Sequence, residues 1–266
     1  MVKFIRIPPT VYVKGNYKIN DFEMCIYPIT QEAWKSVMGD CYNYDFQSED
    51  CPVEKVSFIG VEEFIKKLNQ RTNSDYRLPT AEEWEWAAKG GICSNNYKYS
   101  GSNILSEVAW DADNSGSETN PVGLKRPNEL GLYDMTGNVW EWCNDEDYKG
   151  NKLLKGGGYT NYYDGKIFNI SYRDFYQNPE IKNAGPYGFR LVKEIESTKS
   201  SKDIRREEKS REKRLNELSS KFKEENRKTG NTPNFKKTDD DEFTLEDFFG
   251  CLFWVIAGVL IWVLFF

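Results

Sequence analysis

Apolar side chains recur at helical spacing in two stretches of the N-terminal part of the chain. The first follows Thr30, which can cap a helix, and carries Trp34 and Val37 before Gly39 stops it. The second begins at Ser57 and places four apolar residues on one face, Val61, Phe64, Ile65 and Leu68. We therefore predict two short amphipathic helices here.

A third helix is predicted from its cap. In Thr80-Ala81-Glu82-Glu83, the Thr80 hydroxyl and the Glu83 carboxylate can each accept a bond from an otherwise unpaired amide, which is a capping box. Gly90 and Gly91 end this helix.

Elsewhere up to residue 195, Gly, Asn, Asp and Pro recur too often for long elements. The predicted strands are short: Phe4–Ile7, Val11–Val13, Glu23–Ile29, Leu153–Lys155 and Phe189–Val192. The pattern predicts an α+β domain over residues 1–195, with small sheets, few helices and many loops.

The pattern changes completely over residues 248–266, where every side chain is apolar, aromatic, Gly or Cys. At 1.5 Å per residue this stretch forms a helix of roughly 28 Å, close to the hydrocarbon thickness of a bilayer. A buried core helix is the alternative. We expect a transmembrane helix that acts as a tail anchor and leaves the rest of the chain in the cytoplasm.

Residues 196–247 are rich in Lys, Arg, Glu, Ser and Asn, and we expect a charged linker that is partly helical or disordered. Leu215, Leu218 and Phe222 form a weak apolar stripe within it. The segment is then either a partner helix, a basic patch at anionic lipid, or a spacer.

Composition narrows the possible chemistry. The 266 residues include no histidine, which excludes Ser-His-Asp catalysis and His-ligated metals. The net charge of −6 argues against a nucleic-acid partner, because phosphate binding needs clustered positive charge. Aromatic residues make up 15% of the chain.

The six cysteines are scattered and form no C-x-x-C pair. The N-terminus has no apolar stretch or cleavage site typical of a secretory signal. We therefore expect a cytosolic domain with reduced thiols.

Two carboxylates frame a turn in the segment Asn128–Cys143. Asp134 and Glu141 flank Gly137-Asn138, where backbone carbonyls can turn inward, and such an oxygen shell suits Ca²⁺. The spacing also fits a purely structural arrangement. In that case Asp134 caps a turn, Glu141 pairs with an Arg or Lys, and Trp140 and Trp142 straddle a strand with one ring in the core.

Several motifs in order resemble the formylglycine-generating enzyme, or sulfatase-modifying factor, family. They cover about residues 20–195 and include Arg77–Ala88, Asn128–Cys143, Lys155–Tyr159 and Gly188–Val192. The resemblance implies a C-type-lectin-like fold with little regular secondary structure. It also implies a structural Ca²⁺ held by the side chains of Asp134 and Glu141 and the carbonyls of Gly137 and Val139. A second family calcium site precedes Pro121, but that loop is short here and the site is not carried over.

The resemblance also implies a test for enzymatic activity. Family enzymes oxidise a substrate cysteine with copper(I) held by two cysteines shortly after the Gly-Gly motif. Cu(I) prefers soft thiolates, and residues 158–173 contain no cysteine. We therefore expect no copper and a pseudoenzyme, with a formylglycine-type oxidase acting through other residues as the alternative.

The same stretch is rich in Tyr, Asn, Asp and Ser, residue types common in recognition loops. We predict that a protein or peptide ligand contacts Tyr159, Asn161, Tyr162, Tyr163, Asp164, Asn169, Tyr172 and Arg173. Arg173 and Arg190 are also expected to form salt bridges inside the fold.

In some relatives this region is diversified by retroelements. An AT-rich genome also explains the composition, and an undiversified ligand-binding surface is the preferred interpretation. The leading hypothesis is a membrane-anchored binding module, and the alternatives are a cysteine-modifying oxidase, a retroelement-diversified ligand-binding protein and a structural scaffold.

Overall fold

The structure is a computed structural model that describes residues 2–9, 19–39, 48–162, 166–176 and 185–195. The chain divides into two units, Met1–Ile195 and Glu196–Phe266. The predicted linker, the predicted membrane helix and the predicted strand Val11–Val13 lie outside the described residues. Within the described ranges, no helix has the length and hydrophobicity needed to cross a bilayer.

The three predicted helices are present: α1 (Gln31–Met38), α2 (Phe58–Thr72) and α3 (Ala81–Ala88). Thr30 and Ser57 cap the first two, and the Thr80–Glu83 capping box opens the third. These helices are predictable because their caps and apolar faces are local in sequence. A four-residue helix, α4 (Leu105–Val108), and a 3₁₀ turn (Gly91–Cys93) have no such signals.

The first sheet joins the two ends of the domain. It contains β1 (Phe4–Ile7), β2 (Phe22–Cys25), β3 (Tyr76–Arg77) and β8 (Val192–Glu194), in the antiparallel order β1-β2-β8-β3. The predicted strand Glu23–Ile29 is shorter in the structure and ends at Cys25, and the predicted strand Phe189–Val192 is shifted to Val192–Glu194. Past the ends of β2 and β8 the two segments stay bonded, with Cys25 N and Ile29 N donating to the carbonyls of Leu191 and Phe189.

The second sheet carries the residues of interest. It contains β4 (Trp140–Glu146), β5 (Lys152–Lys155), β6 (Asp174–Tyr176) and β7 (Tyr187–Gly188), in the order β6-β5-β4-β7. Strands β4 and β7 are parallel and the other neighbours are antiparallel. The side chains of Trp140 and Trp142 are only 4% and 1% exposed, so the expectation of a single core ring was wrong.

Stacked and edge-on aromatic rings fill the core between the helices and the second sheet. Trp34 stacks on Phe64 with ring centroids 5.2 Å apart and planes 7° from parallel. Phe189 meets both rings edge-on. Such pairs add about 0.5–1.5 kcal/mol each beyond burial, which supports a domain with little regular structure.

Among the described cysteines, Cys93 differs from expectation. Cys25, Cys51 and Cys143 are buried free thiols, but Cys93 is disulfide-bonded. The expectation that every thiol is reduced was therefore wrong at Cys93. Sequence spacing gave no indication of this pairing, because disulfide partners are set by the fold.

Candidate functional site

The Asp134–Glu141 segment is a tight turn that runs into β4. Asp134, Gly137 and Asn138 all have left-handed backbone conformations, with φ of 54°, 77° and 62°. A Cβ atom on Gly137 would lie 2.4 Å from the carbonyl oxygen of Trp110. Only glycine fits there, and the turn is fixed on both sides by bonds from Gly137 N to Gly156 O and from Asn138 N to Trp110 O.

Glu141 is the acidic half of a buried ion pair. Arg190 Nε lies 2.7 Å from its Oε2 and Arg190 Nη2 lies 2.7 Å from its Oε1. Trp84 Nε1 donates to Oε2, also at 2.7 Å. The other N–H groups of Arg190 donate to the carbonyls of Cys25, Ile26 and Tyr133. The Glu141 carboxylate is therefore committed to neighbouring side chains.

The Asp134 carboxyl is buried, but only one of its two oxygens accepts a hydrogen bond from the described residues. Its Oδ2 accepts a bond from Gly123 N at 2.8 Å, while no described residue donates to its buried Oδ1. Burial raises the pKa of this carboxyl to about 6. Among the described residues, nothing donates to the carbonyls of Gly137 and Val139 either. Three of the four predicted ligands thus retain oxygen atoms without donors.

This oxygen set fits a hard cation better than a soft one. Asp134, Gly137 and Val139 can contribute oxygen, whereas Glu141 is paired with Arg190, as the structural alternative required. The described residues contain no group of three or more His, Cys, Asp or Glu placed to hold a metal. Calcium at this turn stays a prediction.

Two of the predicted ligand-binding residues form hydrogen bonds that stabilise the fold. Tyr159 is 5% exposed, and its hydroxyl donates to Glu54 Oε2 at 3.0 Å in the interior. Asn161 closes a turn, because its Oδ1 accepts from Gly158 N at 2.9 Å and its carbonyl accepts from Ala112 N. The sequence composition marks both as recognition residues and does not distinguish these structural roles.

The next predicted residues differ in accessibility. Tyr162 is 68% exposed, whereas Tyr163 and Asp164 lie outside the described residues. Asn169 lies in a turn in which its amide donates to Lys166 O. Tyr172 is half-buried, with its ring 6.2 Å from that of Trp140.

A charged network fastens residues 166–176 to α3. Arg173 pairs with Glu82 at 3.1 Å and Glu85 at 2.9 Å, so the expected salt bridge is present, but it lies at the surface and not inside the fold. Lys155 is fully buried, and its Nζ donates to Glu85 Oε1 and to the carbonyls of Ile170 and Tyr172. Sequence analysis missed this role for Lys155, although a lysine in an apolar strand just before three glycines is an available signal.

The free thiols of Cys25 and Cys143 are fully buried. Burial raises the pKa of Cys25 to about 12 and that of Cys143 well above its usual value. Thiolate is the form that binds metals and attacks electrophiles. These two cysteines therefore pack as small apolar side chains.

Comparisons with known proteins agree with this geometry. A sequence profile of the sulfatase-modifying factor enzyme 1-like domain matches residues 13–195. Chaperone protein LppX of Paenibacillus barcinonensis is 33% identical over 205 residues, covering 56% of this chain and 73% of that protein. The formylglycine-generating enzyme of Streptomyces coelicolor is 38% identical over 82 residues, covering 26% of each chain. The solved structure of CarF superposes with a TM-score of 0.63 at 23% identity, covering 74% of this chain and 99% of CarF.

Proposed function

The chain belongs to the sulfatase-modifying factor enzyme 1-like family, and from that premise we propose that it is a membrane-anchored module that binds a protein or peptide and has lost the copper oxidase chemistry. One observation carries the proposal. After the glycines at 156–158, the position of soft metal ligands in family enzymes, the chain has an exposed Tyr162 directly after the turn that Asn161 closes.

The absence of suitable thiols supports the loss of oxidase activity. Residues 158–173 contain no cysteine. The buried Cys25 and Cys143 have raised pKa values, which disfavour the thiolate that Cu(I) requires. The exposed Tyr162 suits recognition instead, because a tyrosine side chain offers a large contact area with few rotatable bonds.

One relative supports binding rather than catalysis. The Paenibacillus protein is named a chaperone and shares 33% identity with this chain. A chaperone acts by binding other proteins. The proposal gives this chain the same general type of partner without specifying its identity.

Site-specific crosslinking tests the proposal. A photoreactive phenylalanine at Tyr162 in the full chain should capture a discrete partner in the native host. The matched control is Tyr148, which is 91% exposed and lies on the β4–β5 hairpin. Capture at both positions alike, or at neither, would contradict a binding surface at Tyr162.

An oxidase assay separates the enzymatic alternative. The full chain, Cu(I) and a cysteine-containing sulfatase peptide should produce no aldehyde and consume no oxygen above a protein-free control. Aldehyde formation would overturn the binding-module proposal in favour of a formylglycine-generating activity.

We also propose a structural Ca²⁺ at the turn before β4. Asp134 would supply its unbonded Oδ1, and Gly137 and Val139 their carbonyl oxygens, whereas the Glu141 carboxylate is paired with Arg190. When bound, the ion would offset the cost of burying the Asp134 carboxylate.

The membrane anchor is proposed from sequence alone. Residues 248–266 are uniformly apolar and long enough to span a bilayer. The anchor predicts that the chain stays in the membrane fraction after carbonate extraction. Protease protection in spheroplasts then tests the proposed cytoplasmic side, because a cytoplasmic domain is cleaved only after the membrane is permeabilised.

Retroelement diversification would place variable codons within 159–190. Tyr159 and Asn161 have structural bonds that constrain replacement, so variable positions would concentrate at exposed residues such as Tyr162. A reverse transcriptase and a near-copy of these codons in neighbouring DNA are the expected signs, and their absence would contradict this version of the proposal.

A further inference from the structure

One face of the second sheet carries a group of aromatic rings that the proposed function does not use. Tyr176 in β6 and Tyr187 in β7 are half-buried, and their ring centroids are 4.9 Å apart. Both rings pack on Trp142, at 5.9 Å and 5.6 Å. Three rings in mutual contact form a rigid apolar floor that is partly open to solvent.

An acidic side chain stands on the same face of this sheet. Asp174 and Tyr176 are two residues apart in β6 and therefore point to one face. Asp174 is opposite Leu154, which in turn is opposite Trp142. Asp174 is exposed, and the pKa of Tyr187 is raised to about 12, first by burial and then by the nearby Tyr176 and the charge of Asp174. The carboxylate and the two phenol rings are therefore neighbours.

The polar atoms of this group have unused bonding capacity. Asp174 Oδ1 accepts only the amide of Phe175. Across the described ranges, no residue donates to Asp174 Oδ2, and neither Tyr176 nor Tyr187 forms a hydrogen bond through its hydroxyl. The group thus presents acceptor oxygens beside aromatic faces.

The nearby cations are already engaged with other acids. Lys152, opposite Tyr176 in the sheet, pairs with Glu146 at 2.7 Å and lies over the ring of Phe58. Arg173 pairs with Glu82 and Glu85. Neither neutralises Asp174 by direct contact.

We propose that Asp174, Tyr176 and Tyr187 form a subsite for an arginine side chain of an extended peptide segment in the protein ligand. This inference rests on the proposed protein-binding function and names the chemistry of its partner. A guanidinium stacks on aromatic faces and donates several N–H groups in a plane, so it can contact the rings and the carboxylate together. The position favours an extended segment, because β6 is an outer strand of the sheet that the described residues form.

A matched pair of peptides tests the subsite directly. The probe is a capped nonapeptide of alternating Thr and Arg, and its control carries citrulline, a neutral isostere, at each Arg. Binding to the full chain in detergent is measured by calorimetry at low and high salt. We expect the Arg peptide to bind about tenfold more tightly than the citrulline peptide at low salt, with a smaller ratio at high salt.

Variants assign the effect to the subsite. Asp174→Asn and Tyr176→Ala should each lower the affinity for the Arg peptide by about fivefold and leave the affinity for the citrulline peptide nearly unchanged. The control is Glu62→Gln, which removes one exposed carboxylate from α2. Thermal melts of each variant verify folding, and Tyr176→Phe, which keeps the ring, should retain most of the affinity.

The outcomes separate this inference from the proposed function. Equal affinity for the two peptides, or equal losses in Asp174→Asn and Glu62→Gln, would overturn the arginine subsite. If Tyr162 still captures a partner in the crosslinking experiment, the protein-binding function survives that result. If Tyr162 captures nothing while the Arg peptide discriminates as expected, the subsite stands and the assignment of the surface around Tyr162 fails.

Discussion

Arg190 and Glu141 lie 49 residues apart in sequence and meet in a buried pair with two contacts of 2.7 Å. The pair connects the two sheets, because Glu141 belongs to β4 while Arg190 also donates to the carbonyl of Cys25 at the end of β2. A domain with so few long elements depends on such connections for its tertiary structure. Both side chains are essentially without solvent contact.

Arg190→Met should destabilise the domain severely. It leaves the Glu141 carboxylate and several carbonyls buried without their donor, a change that costs about 3–5 kcal/mol in comparable sites. Chemical denaturation of the full chain measures the free energy of unfolding. The control is Arg126→Met, which breaks the solvent-exposed pair with Glu107 and should cost at most about 1 kcal/mol. Similar losses in the two variants would contradict a special role for Arg190.

The three longer helices were predictable because their information is local. Thr30, Ser57 and Thr80 each sit directly before the helix they cap. Strand β4 was predicted only within the structural alternative for the Asp134–Glu141 turn, because its pairing with β5 and β7 is set by tertiary contacts. The Glu141–Arg190 ion pair forms only when these strands have paired. Sequence spacing alone therefore left the partner of Glu141 undecided between a metal ion and a basic side chain.

Calcium should stabilise the domain through Asp134. We expect Ca²⁺ to raise the melting temperature of the full chain and a chelator to lower it, with about 2.7 kcal/mol gained at a hundred times the dissociation constant. Asp134→Asn should abolish this response. In chelator the variant should be no less stable than the native chain, because the amide removes the cost of a buried charge.

Glu62→Gln serves as the matched control for the calcium experiment, since it removes an exposed carboxylate far from the turn in sequence. It should keep the full response to calcium. A melting temperature that is the same with calcium and with chelator would contradict a metal site at this turn. The buried Oδ1 of Asp134 would then need a proton or a water molecule as its partner.

The candidate ligand surface was only partly predictable. Composition identified the region containing Tyr162 and Arg173, but it treated Tyr159 and Asn161 as equivalent to their neighbours. Burial and turn geometry separate them, since Tyr159 bonds Glu54, which is 105 residues away. Long-range partners of this kind are absent from any local pattern of residue types.

Lys155→Met should loosen the surface that carries the proposed ligand contacts. The buried ammonium holds the carbonyls of Ile170 and Tyr172 together with Glu85, and methionine leaves these acceptors unsatisfied. Amide hydrogen exchange should show faster exchange over residues 166–176 than in the native chain. Lys66→Met, at an exposed position on α2, should leave that pattern unchanged. Uniform acceleration across the whole domain would instead indicate global destabilisation.

Cysteine alkylation should divide the four described cysteines into three free thiols and one disulfide-bonded residue. In the native chain Cys25 and Cys143 should resist iodoacetamide, because burial and raised pKa values suppress the reactive thiolate. In denaturant without reductant, Cys25, Cys51 and Cys143 should all react, whereas Cys93 should react only after reduction of its disulfide. Peptide mass spectrometry resolves each site. Alkylation of Cys93 without reductant would show that its thiol is free, and would restore the expectation of a fully reduced domain.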